Sequence, residues 1–164
     1  MVTNSLAIQD AINPVQIYLD LCCFNRPYDD QSQVRIHLET EAIILLQERI
    51  KRSECELIWS STLDFENANN PYQEHRLAIQ QWRRLACTIV MATPAVIAEA
   101  HDLTAAGLGQ YDALHLASAI AGGADLFVTT DDRLLRKMSS LERPRVLPPI
   151  NALAILENWY DNGN

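Results

Sequence analysis

From Gly109 to Asp131 the chain spells an apolar helix, a Gly-Gly break and an apolar strand, with a carboxylate near each end. Asp112 opens the helix, which runs from Tyr111 to Ala121, and Gly122-Gly123 breaks it. Leu126-Phe127-Val128-Thr129 then forms a strand that leads through Thr130 to Asp131. Short, uniformly apolar strands alternating with helices belong to parallel sheets, which are covered on both faces. In such a sheet the strand ends and nearby helix starts meet along one edge. Two acids placed this way can face one cleft, and the other carboxylates of the chain decide whether it is a site.

The rest of the chain repeats the alternation. Val15-Gln16-Ile17-Tyr18-Leu19 is a short β-prone run ending at Asp20, and the Asn25-Arg26-Pro27 and Asp29-Asp30 that follow read as a loop. Ser32 is placed to cap a helix over Val34–Arg52, with Leu38, Ala42, Leu45 and Leu46 at helical spacing. A strand over Glu56–Ser60 comes next. Ser61-Thr62-Leu63-Asp64 has the form of a capping box and predicts a helix start at Ser61. Asn70-Pro71 predicts a cap and first turn for a helix over Tyr72–Ala86, before a β-prone Cys87–Met91. Thr93-Pro94 opens a helix that stops at Gly107, Arg145-Val146-Leu147 is a last edge strand, and a helix over 151–160 closes the chain. Strands separated by helices imply right-handed crossovers. The expectation is one α/β domain over 1–164, a three-layer α/β/α sandwich with a mainly parallel central sheet. Its core spans about 15–147, and 1–13 form a loosely ordered arm.

Composition excludes several functions. No apolar run approaches the length of a membrane span, and Met1–Asp10 lack a basic start and apolar run, so the expected location is the cytoplasm. Cys22, Cys23, Cys55 and Cys87 form no CxxC pair, which suggests small buried residues rather than a zinc site or disulfides. The net charge of -8 argues against gripping nucleic acid by general electrostatics. It leaves room for acids neutralised by bound cations. No glycine-rich phosphate loop is present, and Asp20 is followed by Leu21-Cys22 rather than a strand-end Asp-x-Asp.

Four carboxylates occupy equivalent places in this pattern. Asp20 ends the first strand, Glu66 lies in the helix after the second, Asp112 opens a central helix and Asp131 follows a later strand. Each alone is explicable as a cap, a turn or a surface acid. Together, at the carboxyl edge of a parallel sheet, they would repel one another and raise each other's pKa unless a divalent cation is held between them. Oxygen-only ligation suits Mg²⁺ or Mn²⁺, ions that activate water and stabilise the leaving oxygen in phosphodiester hydrolysis. Asp64 rivals Glu66 and Asp132 rivals Asp131. Asp64 is given the capping role, and Asp132 turns into the next helix. His115, one turn past Asp112, reads as a packed or hydrogen-bonded core residue. Trp59, Trp82 and Trp159 read as core or interface rather than a base-stacking platform.

In this pattern the chain resembles the PIN-domain family, metal-dependent ribonucleases that include the VapC toxins of bacterial toxin–antitoxin modules. The resemblance is carried by Ile17-Tyr18-Leu19-Asp20, by Ser61-x-Leu63-x-x-Glu66, and by Asp112-Ala113-Leu114-His115-Leu116-Ala117-x-Ala119 with Ala124-Asp125-Leu126-Phe127-Val128-Thr129-Thr130-Asp131. It runs from about Val15 to Val146. It implies that Asp20, Glu66, Asp112 and Asp131 hold one or two Mg²⁺ or Mn²⁺ ions that cut RNA. It also implies a small antitoxin placing a basic residue in the cleft, and a homodimer. In the family the first acid is usually followed by Thr and a small polar residue. Here Leu21 and Cys22 stand in those places, so the hydroxyl that would orient the acid is missing. The alternative that follows is a PIN-like protein with weakened or lost catalysis that acts as a binding partner.

Overall fold

The structure, a computed structural model, describes residues 13–160. The predicted arm lies almost wholly outside them. Five strands form one sheet: β1 (Gln16–Leu19), β2 (Glu56–Ser60), β3 (Ala86–Val90), β4 (Leu126–Val128) and β5 (Arg145–Leu147). Every pairing is parallel, in the order β3-β2-β1-β4-β5. The helices are α1 (Leu21–Asn25), α2 (Val34–Lys51), α3 (Ser61–Ala68), α4 (Gln73–Gln80), α5 (Pro94–Ala105), α6 (Gln110–Ala121), α7 (Asp132–Lys137) and α8 (Pro149–Leu156). They flank the sheet, with α5 against α6 and α2 against α8, in the expected three-layer arrangement. Ile17, Tyr18, Leu57, Trp59, Phe127 and Val128 are fully or almost fully buried, as strands covered on both faces require. No helix among the described residues is long and apolar enough to cross a membrane.

The strand order places the site. The chain lays down β1, moves outward through β2 and β3, then returns to put β4 on the other side of β1. The crevice where strand order reverses therefore opens at the carboxyl ends of β1 and β4, the usual ligand position in open α/β sheets. Asp20 follows β1 directly, and its N–H continues the ladder to the Val128 carbonyl at 2.9 Å. Asp131 lies three residues beyond the end of β4.

Several local expectations need correction. The cap of α3 is Ser60, whose hydroxyl accepts from the Leu63 N–H at 3.1 Å. Ser61 is already helical, and its hydroxyl accepts from the Ala92 N–H at 3.1 Å. The helix expected over Tyr72–Ala86 starts at Gln73 with Tyr72 as its cap, ends at Gln80 and tightens into a 3₁₀ turn, Gln81–Leu85. Asn70 instead takes the Tyr72 N–H on its side-chain oxygen at 3.1 Å. Gln33, not Ser32, precedes α2, and Ser32 hydrogen-bonds Asp30. On α2 the buried face runs through Ala42, Ile43, Leu46 and Ile50, leaving Leu38 and Leu45 50% and 51% exposed. The segment read as a loop after Asp20 begins with α1, and the last helix starts at Pro149 rather than 151. All four cysteines are free, with Cys23 and Cys55 buried as expected but Cys22 only partly so and Cys87 exposed.

Candidate metal centre

Asp20 is the most constrained of the four acids. Its Oδ1 accepts from the Leu21 N–H at 2.9 Å and its Oδ2 from the Thr129 hydroxyl at 2.9 Å, and the residue is only 6% exposed. Thr129 is fully buried, and its oxygen also accepts the Asp131 N–H at 3.1 Å. One hydroxyl at the end of β4 thus ties the acid after β1 to the segment carrying Asp131. The hydroxyl missing at Leu21 and Cys22 is supplied across the sheet, by a partner that local sequence could not reveal. Thr129→Val should therefore weaken Mn²⁺ binding by about 10- to 100-fold while leaving the protein folded. Electron paramagnetic resonance titration of Mn²⁺ measures this, and an unchanged affinity would show that the Leu21 N–H and the Cys22 thiol, 3.5 Å from Oδ2, suffice to orient Asp20.

Glu66 sits on α3 and reaches the same crevice. Glu66, Asp20 and His115 each present one ligand-type atom, all within 4.8 Å of one another. The rival Asp64 is occupied elsewhere. Its Oδ1 accepts from the Trp59 indole N–H at 2.8 Å and the Gln80 amide at 2.6 Å, and Arg83 lies 3.5 Å from its Oδ2. Asp64 therefore faces away from the crevice, but because of Trp59 rather than through a capping role. Asp132 likewise pairs with the Arg35 guanidinium through bonds of 2.7 and 2.9 Å.

Asp112 lies in the first turn of α6, whose cap is Gly109 with no side chain to satisfy the helix N–H groups. A helix start favours negative charge. Nevertheless the Asp112 carboxyl is pushed up to about 6, first by burial and then by the charges of Asp20 and Asp131, with His115 opposing and Glu66 adding. Asp131 caps α7, its Oδ1 accepting from the Arg133 and Leu134 N–H groups at 2.9 and 3.3 Å. Asp112 and Asp131 share the wall of a cavity of about 310 Å³. The structure thus brings Asp20, Glu66 and His115 into direct proximity, with Asp112 and Asp131 on the adjoining wall.

His115 is buried at 1% exposure and hydrogen-bonded, as expected, but its ring also faces the acids. Nδ1 lies 2.6 Å from the Tyr18 hydroxyl, which lies 2.7 Å from the Ser60 hydroxyl. Nε2 faces two carboxylates, which only accept, with Glu66 Oε1 at 3.4 Å and Asp20 Oδ1 at 3.9 Å, and this favours a ring hydrogen on Nε2 in the ion-free protein. With the ring neutral, Nδ1 then accepts from the Tyr18 hydroxyl, whose oxygen accepts from Ser60. Burial alone would lower the His115 pKa, but hydrogen bonding to Glu66 and the charges of Asp20, Glu66 and Asp112 raise it instead. Tyr18, Ser60 and Thr129 were missed as contributors to the site. Strand alternation offered one signal, because Tyr18 is two residues before Asp20 and points to the same side.

Other residues fall away from the site. Arg26, in the segment after Asp20, pairs with Asp29 at 3.0 Å and Glu39 at 3.2 Å and is an internal cation. Trp59 is fully buried, Trp82 packs against the core, and Trp159 is half exposed.

A parallel α/β sheet with acids gathered at its switch point defines a class of proteins whose ligand position is the sheet's carboxyl edge. Within that class, a family model described as the PIN domain matches residues 17–140, and the chain belongs to the PIN-domain family. The fold is a nuclease fold, and Asp20, Glu66 and His115 lie close enough together to hold a metal ion. A comparison with curated proteins finds no match to the chain.

Proposed function

We propose that this protein is a Mg²⁺- or Mn²⁺-dependent endoribonuclease whose ion is held by Asp20, Glu66, Asp112 and Asp131. The observation that carries the reading is the gathering of acids at the sheet's switch point: Asp20 and Glu66 present oxygens within 4.8 Å of one another, and burial with their charge pushes the nearby Asp112 carboxyl up to about 6. Such crowding costs stability unless a cation occupies it. Oxygen donors dominate the cluster, which suits a hard cation. When bound, the ion would lower the pKa of a water for attack on phosphorus and offset charge on the leaving oxygen.

The chain's own residues supply the rest. The Leu21 N–H and Thr129 hydroxyl fix both oxygens of Asp20, so this acid need not reorganise when charge enters the site. The His115 ring holds its N–H toward Glu66. RNA is favoured over DNA by the resemblance of the Asp112–Asp131 block to the ribonuclease members of the family. That same resemblance motivates a toxin role, in which a small antitoxin would place a basic residue in the cleft. A binding-only role draws its support from the residue after Asp20 and from the net charge of -8, and the Thr129 hydroxyl weighs against the first of these.

The test is incubation of the full chain with labelled single-stranded RNA and DNA of the same sequence. Internal cleavage of RNA is expected with Mn²⁺ or Mg²⁺, and none with chelator. Intact RNA at a Mn²⁺ concentration that saturates the protein would refute the proposal.

A further inference from the structure

A cleft of about 480 Å³ begins at Glu66 and Leu21, the residue after Asp20, and ends among aromatic rings. At that end the rings of Tyr28 and His75 stack with centroids 3.9 Å apart and planes within 12°. Tyr72 extends the series, 5.0 Å from His75 at 40°. Tyr28 and Tyr72 remain 45% and 64% exposed, so these rings are not satisfying the core. The elements that hold them are fixed independently of any ligand. Buried Asn67 on α3 donates to the Arg76 carbonyl at 3.0 Å and to Gln80 at 3.1 Å, pinning α4, and Asn70 donates to Asn25 at 3.3 Å across the cleft floor.

The lining chemistry selects a kind of ligand. Neither Lys nor Arg is among the residues forming the wall, while Asp29 and Glu66 are, so the cleft is unsuited to phosphate. The nearby guanidinium of Arg76 is directed at the Asn70 carbonyl at 3.0 Å, and that of Arg26 at Asp29 and Glu39. Tyrosine rings that stay partly exposed, side-chain amides and carboxylate acceptors instead fit a flat, uncharged heterocycle with amino and carbonyl edges. Splayed bases of single-stranded RNA are held in this way, by stacking on aromatic rings and hydrogen bonds to their edges.

We propose that the cleft lined by Tyr28, Tyr72, His75 and Asn69 is a subsite for one unpaired nucleobase next to the scissile phosphodiester. The inference rests on the nuclease reading, and it assigns this cleft to one base of the substrate, which must be unpaired to enter. It also explains how a chain of net charge -8 grips a polyanion: stacking replaces ion pairing on this side of the acids.

The test uses the full chain and a single-stranded oligoribonucleotide containing 2-aminopurine, whose fluorescence falls on stacking. With chelator present to prevent cleavage, wild-type protein should quench the probe, and Tyr28→Ala with Tyr72→Ala should abolish the quench. The same double variant should raise KM for a cleavable single strand by about 5- to 100-fold, and Tyr28→Phe with Tyr72→Phe should restore it. Cleavage with unchanged KM and no quench would overturn the subsite alone. Quenching that depends on the tyrosines without cleavage would support the subsite and overturn the nuclease reading. Neither quench nor cleavage would overturn both.

Discussion

Asp112→Asn should abolish metal-dependent cleavage and at the same time stabilise the ion-free protein. Activity is expected to fall at least about 100-fold, as for loss of a group that stabilises reacting charge directly. Stability should move the other way because of the sign of the Asp112 shift. Its folded pKa of about 6 lies above the ordinary carboxylate value of 3.8, so the folded state binds the proton more tightly than the unfolded state. Wild-type stability therefore falls as pH rises from about 4 to about 6 and stays low above that range. The neutral amide of Asn removes this penalty. Asp112 is only half-buried, and solvent screening cuts the gain to about 1 kcal/mol, or about 2–4 °C in Tm near pH 7.5. The difference from wild type should vanish near pH 4. Saturating Mn²⁺ should reverse the order at pH 7.5, since it stabilises only the protein that binds it. Calorimetric scans across pH, with and without Mn²⁺, measure all three effects. A variant less stable than wild type without ions at every pH would mean that Asp112 is a structural helix-start acid.

His115→Ala should lower stability by about 2–4 kcal/mol and weaken Mn²⁺ binding by about 10- to 100-fold. The stability loss follows from burial: the substitution leaves a void and removes the acceptor of the Tyr18 hydroxyl, whose burial also keeps it protonated by raising its pKa. The loss of ion affinity follows because Glu66 and Asp20 lose the N–H that faces them. Two experiments separate this role from direct ligation. His115→Gln, which keeps an N–H donor on a side chain of similar reach, should recover part of the Mn²⁺ affinity. Nitrogen NMR of the ring should show hydrogen on Nε2, and the signal should keep that character when Mg²⁺ is added. An Nε2 signal that loses its hydrogen on Mg²⁺ addition would make His115 a ligand instead.

The comparison of Glu66 with Asp64 shows where sequence reading reached its limit. Helical periodicity shows that residues two apart cannot both face one cleft. It cannot show which faces inward, because that depends on the rotation of α3 about its axis. The rotation is set by the Ser60 cap and by the Trp59 indole, which draws Asp64 to the far side through a bond formed only once β2 and α3 have met. The same limit explains α2, where apolar residues at helical spacing were visible but Leu38 and Leu45 turned out exposed. Several side chains on that helix are apolar around its circumference, and contact with α8 selects which of them are buried.

What the sequence by itself determined is the parallel α/β architecture and the placement of Asp20, Glu66, Asp112 and Asp131 at equivalent points of its repeats. Both follow from local rules: the period of apolar residues, glycine and proline stops, and the habit of parallel sheets to gather strand ends on one edge. Only the tertiary structure decided what surrounds those acids. Thr129 lies 109 residues from Asp20 and Tyr18 lies 97 from His115, and these pairs meet because β4 returns to the side of β1. The hydroxyl expected beside Asp20 is absent from its neighbours in sequence and present on its neighbour in the sheet. A hydrogen bond depends on distance in space, and folding brings the partner from a strand that local sequence cannot identify.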